Sequence, residues 1–167
     1  CAYCDFNTYA RMEGRISAYT TALCSEIRQA AAAAGERLPA HTIFFGGGTP
    51  SLLEAEQVGQ ILEALRAGFD VSAGAEITLE ANPGTVSPEW LRAVSALGVN
   101  RLSFGMQSAD AGELHFLERQ HDLEDVVQAL EWAREAGIPN LSLDLIFGLP
   151  GQALATIFKQ WPELPSD

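Results

Sequence analysis

The stretch Thr42-Ile43-Phe44-Phe45-Gly46-Gly47-Gly48-Thr49-Pro50 sets a short apolar run directly before three glycines, a threonine and a proline. Such a run, closed by a glycine turn, reads as a buried strand entering a tight loop. Upstream, Ile16, Tyr19, Leu23 and Ile27 recur every three or four residues, the pattern of an amphipathic helix that runs through the alanines to a stop at Gly35. Downstream, Val58, Ile61, Leu62 and Leu65 mark another helix, and Glu76-Ile77-Thr78-Leu79-Glu80 another strand, closed by Asn82-Pro83-Gly84. Ser87-Pro88 is an N-cap followed by proline at the first helical position, and that helix stops at Gly98. The alternation then repeats. Arg101 to Met106 is a strand, with a short helical piece around Glu113 to Leu117. Asp122 caps a helix carrying Val126, Val127, Leu130 and Ala133 up to Gly137, and Leu141 to Phe147 is the last strand, closed by Gly148-Leu149-Pro150-Gly151.

Strands starting near 42, 76, 101 and 141, each separated by helix, make βα units and a parallel sheet in an α/β fold. A doubly wound sheet and a barrel both fit this alternation. Polar or glycine-rich groups stand at or beyond the C-terminal end of every strand: the Gly46–Pro50 loop, Glu80 with Asn82, Gln107 with Ser108, and Asp144. In β/α barrels that rim binds ligands with contributions from several strands, whereas a doubly wound sheet gathers its site at one switch point. The barrel is the better fit.

Composition narrows the function. Of 167 residues, 47% are hydrophobic and 19% charged, enough for a core and incompatible with a disordered chain. Ten Lys and Arg against 22 Asp and Glu give a net charge of −12, which repels a phosphate backbone and argues against nucleic acid as a partner. The apolar stretches are too short to span a membrane, and no secretory signal opens the chain. Three cysteines, two of them at one end, suit a reducing, cytoplasmic setting rather than a disulfide framework. A start on Cys1 and an end on Trp161-Pro162-Glu163-Leu164-Pro165-Ser166-Asp167 read as a fragment of something longer.

Several residues carry chemistry, each with a plainer alternative. Cys1 and Cys4 form a C-x-x-C pair that fits a redox dithiol, half a zinc site or half an iron–sulfur site. Gly46-Gly47-Gly48 lets the backbone approach a ligand closely, although a plain tight turn reads the same way. It lacks the lysine of a phosphate-binding loop and the spacing of a dinucleotide fingerprint. Glu80 and Asp144 end otherwise apolar strands, where burial is costly without a partner; structural pairing with Arg101 or Arg119 is the alternative. Cys24 reads as a small buried hydrophobe, Trp90 and Trp132 as core, and His115 and His121 as solvated side chains.

Five ordered motifs then add a resemblance that covers roughly residues 1 to 152. Cys1-Ala2-Tyr3-Cys4-Asp5-Phe6 resembles the end of the C-x-x-x-C-x-x-C motif of radical S-adenosylmethionine (SAM) proteins, and Phe45-Gly46-Gly47-Gly48-Thr49-Pro50-Ser51 their SAM-binding glycine loop. Glu80-Ala81-Asn82-Pro83-Gly84, Asn100 to Ser108 and Asp144 to Gln152 come next, in that order. Together they are similar to the coproporphyrinogen-dehydrogenase-like branch, and most to its HemW haem-chaperone members. The resemblance implies a partial TIM-like (β/α)6 barrel over residues 1–152, with 153–167 an unassigned tail. It implies a [4Fe–4S] cluster held by three thiolates, with SAM on the open iron and a 5′-deoxyadenosyl radical as the product of its reductive cleavage. Cys1 and Cys4 would be two of the cluster ligands, the first cysteine of the motif being absent from this stretch. Tyr3 would lie against the adenine, Gly47, Gly48 and Thr49 would meet the amino group, and Arg119 would pair the SAM carboxylate. Glu80, Gln107 and Asp144 would bond the ribose and amino-acid portions.

The partners implied are haem, which would then also count as a further cofactor, or a coproporphyrinogen-type tetrapyrrole, together with an electron-donor protein. The dehydrogenase branch typically gains a further cysteine two positions after its last cluster cysteine, where this chain has Phe6. The expected function is therefore haem trafficking as a chaperone. Oxidative decarboxylation of coproporphyrinogen III and haem carriage without SAM cleavage are the alternatives.

Overall fold

The apolar period between Ile16 and Ile27 becomes helix α1 (Ile16–Ala34), which ends where Gly35 takes a left-handed φ of 74°. The computed structural model describes residues 3–4 and 12–155. Beyond α1, strands and helices alternate as the sequence predicts: β1 (Pro39–Phe45), α2 (Ala55–Gly68), β2 (Asp70–Ala81), α3 (Pro88–Ala96), β3 (Arg101–Gln107), α4 (Ala111–Phe116), α5 (Leu123–Glu135) and β4 (Asn140–Leu145). The caps are those read from the sequence. Ser87 accepts the Trp90 N–H ahead of Pro88, and Asp122 with Asp125 forms a reciprocal capping box on α5.

Two strand bounds differ from expectation. β2 starts at Asp70 rather than Glu76, because Pro39 and Ala40 already pair with Asp70 and Val71 ahead of a register shift. β4 stops at Leu145 rather than Phe147, where the β3 ladder bulges and the Ile146 N–H closes it on the Gln107 carbonyl. Phe147 is exposed.

All neighbouring strands are parallel, in the spatial order β1-β2-β3-β4. A doubly wound sheet reverses its strand order at the switch point; this one does not, and it forms a sector of a barrel. The register sorts the side chains strictly by face. Phe45, Leu79, Leu102 and Leu141 share one row, on the side that packs against the helices. There Ile77, Leu79, Leu102, Phe104 and Met106 meet Val58, Ile61 and Leu62 of α2, Leu91 and Val94 of α3, and Val126 and Leu130 of α5. Cys24 is buried in this core, as expected, and Trp90 and Trp132 pack partly buried against it.

The opposite face is polar apart from Phe44, the register partner of Thr78 on β1. Thr78, Arg101 and Asn140 form one row across it and Glu80, Ser103 and Ser142 the next. Near the N-terminal ends of the strands, Arg101 Nη1 reaches the buried Thr78 hydroxyl at 3.5 Å, and that hydroxyl donates to Glu76 Oε1 at 2.9 Å.

Candidate functional site

At the C-terminal ends of the strands this polar face meets the loops. Gly47 and Gly48 adopt φ of 81° and 40°, conformations that glycine takes without strain. The Gly47 N–H donates to Glu80 Oε2 at 3.2 Å. A Cβ on Gly46 would stand 2.6 Å from the Phe44 ring and 3.3 Å from Glu80 Oε1, so the loop passes too close to its neighbours for a side chain. The Thr49 hydroxyl donates to the Gly48 carbonyl at 2.8 Å. Behind the loop, Ser51 Oγ lies 2.6 Å from the Thr85 hydroxyl and accepts the Asn82 N–H at 3.1 Å, tying the loop after β1 to the turn after β2. A groove of about 910 Å³ opens beside the loop, between α1 and β1, lined by Tyr19, Leu23, Ile43 and Phe44 among others.

The neighbouring strands supply the rest. Ser103 donates to Asp144 Oδ1 at 3.1 Å, with Ser142 Oγ 3.3 Å away, and Ser103 is itself the register partner of Glu80. Glu80 thus accepts a backbone N–H and Asp144 a hydroxyl. Asp144 is exposed, which removes the burial cost expected for it.

Between Phe104 and Gln107 strand β3 advances by one residue more than β4, and Gln107, though not glycine, takes a φ of 68°. Such bulges re-aim side chains and gather at functional sites, as do strained backbone positions. Gly105 makes room for two side chains: a Cβ there would lie 2.8 Å from Gln107 Nε2 and 3.5 Å from Arg119 Nη2. Arg119 Nη2 in turn donates to the Gly105 carbonyl at 2.8 Å.

Of the two histidines expected to be solvated, only one is. His115 is exposed, but His121 is buried at 4% exposure, with Nε2 3.0 Å from the Met106 carbonyl and Nδ1 3.4 Å from Arg119 Nη2. Burial holds its pKa below the ordinary 6.5, and the Arg119 charge acts in the same direction. Sequence spacing gives no hint of this. Its partners are a carbonyl of the β3 bulge and the Arg119 guanidinium, not neighbours along a helical face.

Glu80, Gln107, Arg119 and Asp144 with the glycine loop thus gather on one rim. The donor set suits an amino-acid zwitterion, with a guanidinium for a carboxylate, a carboxylate for an ammonium, and amide and loop groups between them. Ser103 and Gly105 belong to the same arrangement and were legible only as the alternation of polar and apolar residues from Arg101 to Gln107. Tyr3 and Cys4 are both exposed, Cys4 as a free thiol, and among the described residues no hydrogen bond ties either to the rim. Cys1, Asp5 and Phe6 lie outside the described residues. Among the described residues no three His, Cys, Asp or Glu side chains converge as a metal site, and no helix is long and apolar enough to cross a membrane.

The family model of the radical SAM superfamily matches residues 1–158. The haem chaperone HemW of Bacillus subtilis (strain 168) is 41% identical over 155 residues, covering 92% of this chain and 41% of the relative. The oxygen-independent coproporphyrinogen III oxidase of Bradyrhizobium diazoefficiens is 36% identical over 157 residues, 93% of this chain and 35% of that protein. The solved structure of coproporphyrinogen III oxidase (HemN) from Escherichia coli, described as a radical SAM enzyme, superposes with a TM-score of 0.87 at 31% identity. It covers 97% of this chain and 37% of that structure. The chain therefore spans about two fifths of the length of these relatives.

Proposed function

The chain belongs to the radical SAM superfamily, and from that premise we propose that its polar rim binds the methionine end of SAM in a haem chaperone of the HemW kind. One observation carries the SAM reading. Glu80, Gln107, Arg119 and Asp144, which come from separate strands and a loop, gather with the Gly46–Thr49 loop at one end of the sheet.

On this reading the Arg119 fork pairs the ligand carboxylate, and the glycine loop with the Glu80 carboxylate receives the ammonium. Gln107 and Asp144 bond the remaining amino-acid and ribose groups, and Tyr3 lies against the adenine. Cys1 and Cys4 serve as two of the thiolates of a [4Fe–4S] cluster. Bound together, the cluster and SAM supply one-electron chemistry at the sulfonium; the described residues bind and orient the ligand for it.

The haem reading rests on two supports: Phe6 in place of a further cysteine, and the higher identity to the HemW relative than to the oxidase relative. A tetrapyrrole and an electron-donor protein are the partners. Coproporphyrinogen oxidation is the competing reading, favoured by the close superposition on the oxidase structure. Anaerobic calorimetric titration of SAM into the reconstituted full-length protein tests the site. Saturable binding that Arg119→Ala and Asp144→Ala each weaken supports it; native affinity in both variants contradicts it.

A further inference from the structure

We propose, resting on the reading of the rim as a SAM site, that His121 is its positioning residue: a neutral imidazole that holds the Arg119 fork and the Gln107 bulge in the geometry the ligand meets. The observation is a pair of carbonyls. Where β3 bulges, its register against β4 passes from Phe104↔Leu143 to Gln107↔Leu145, which leaves Gly105 and Met106 between the two pairings. Arg119 Nη2 takes the Gly105 carbonyl at 2.8 Å, and His121 Nε2 takes the Met106 carbonyl at 3.0 Å. The same Nη2 stands 3.4 Å from His121 Nδ1. The two side chains thus clamp the bulge from which Gln107 projects.

The network assigns the proton. A carbonyl only accepts, so Nε2 carries the hydrogen; a guanidinium only donates, so Nδ1 accepts. The two contacts are made together only by the neutral Nε2–H tautomer, since Nδ1 accepts only in the neutral ring. An imidazolium would turn a donor toward a donor and set a second positive charge beside Arg119.

The surroundings agree. Arg119 faces the ring from its own loop, Asp122 and Asp125 from the start of α5, and the Met106 carbonyl from β3. The two aspartates and the Met106 carbonyl favour the charged form, while burial and Arg119 oppose it and prevail.

The test measures SAM affinity in the full-length protein by anaerobic calorimetry at about pH 8 and about pH 5.5, either side of the ordinary histidine range. It compares the native protein with His121→Gln, His121→Leu and Arg119→Ala. Glutamine offers an amide donor and a carbonyl acceptor but no charge, so it should keep affinity at both values. The native protein should lose several-fold more than His121→Gln on acidification. His121→Leu, which keeps bulk and loses both bonds, should bind about tenfold more weakly at the higher value.

Native affinity in His121→Leu beside a loss in Arg119→Ala would overturn the positioning role while leaving the rim reading intact. Unchanged affinity in Arg119→Ala would overturn the rim reading itself. Should His121→Leu fail to fold, the glutamine profile decides: a fall parallel to that of the native protein refutes the proposal.

Discussion

The Glu80 carboxylate accepts the Gly47 N–H at 3.2 Å, so a strand-end acid from β2 braces the glycine loop that follows β1. Bracing and ligand binding are separable roles for this group. Glu80→Gln keeps an acceptor for the amide proton but loses the charge; Glu80→Ala loses both. If Glu80 receives the SAM ammonium, both variants weaken SAM binding by about 1–3 kcal/mol. If it serves only as a brace, the glutamine variant binds normally. Calorimetric titration of the two variants separates these outcomes, and the account predicts weakening in both.

Gly105→Ala should separate site from fold. The new Cβ would press on the end of the Gln107 side chain at 2.8 Å, with Arg119 Nη2 at 3.5 Å and the Ala81 carbonyl only at 4.0 Å. Strand residues favour alanine over glycine by roughly 0.5–1 kcal/mol, so thermal stability should hold or rise. SAM affinity should fall, because the displaced Gln107 side chain lines the proposed site. A melting curve beside a titration checks this. A variant that binds normally would show that the Gln107 side chain is not needed where it stands.

Asp144→Ala removes the acceptor of the Ser103 hydroxyl at the end of β4. On the proposed reading SAM binding weakens by about 1–3 kcal/mol. Iron and sulfide content of the reconstituted full-length protein should match the native value, since the aspartate is not proposed as a cluster ligand. Loss of both together would mean that the residue supports the fold and not the ligand.

The sequence made the architecture legible because its periods differ so sharply. Ile16 to Ile27 repeat as a helix does, whereas Thr42 to Phe45 stop dead at three glycines. The candidate rim residues stand out for a related reason: Glu80 and Asp144 are carboxylates ending apolar strands, although the burial cost that marks them does not apply to Asp144, which is exposed. What stayed hidden depends on a single extra residue. The bulge before Gln107 lies where the Gly105 and Met106 carbonyls meet Arg119 and His121, and there a histidine from a polar stretch is a buried neighbour of Arg119. No spacing rule encodes an inserted residue in one strand. Ser103 was visible in principle, as part of the period-two alternation along β3. A small hydroxyl in mid-strand costs far less to bury than a carboxylate, so nothing in its type marks it out.

The buried imidazole also sets a pH dependence of stability. The His121 pKa is lowered in the fold, so below the ordinary 6.5 the unfolded chain binds a proton that the folded chain resists. Its contribution is therefore complete above 6.5 and is lost as the pH falls through that value toward the lowered folded pKa. Denaturant midpoints measured across this range should fall on acidification in the native protein, and less steeply in His121→Gln. Equal slopes would assign the acid sensitivity to other groups.

One anaerobic incubation decides between a haem chaperone built on a SAM-binding rim and a coproporphyrinogen oxidase. The full-length protein is given SAM, a reductant and coproporphyrinogen III, the porphyrins are separated by chromatography, and haem binding is followed by absorbance on the same preparation. A haem chaperone binds haem stoichiometrically and forms no doubly decarboxylated product. Catalytic turnover to that product would contradict the chaperone reading and make the protein a coproporphyrinogen oxidase.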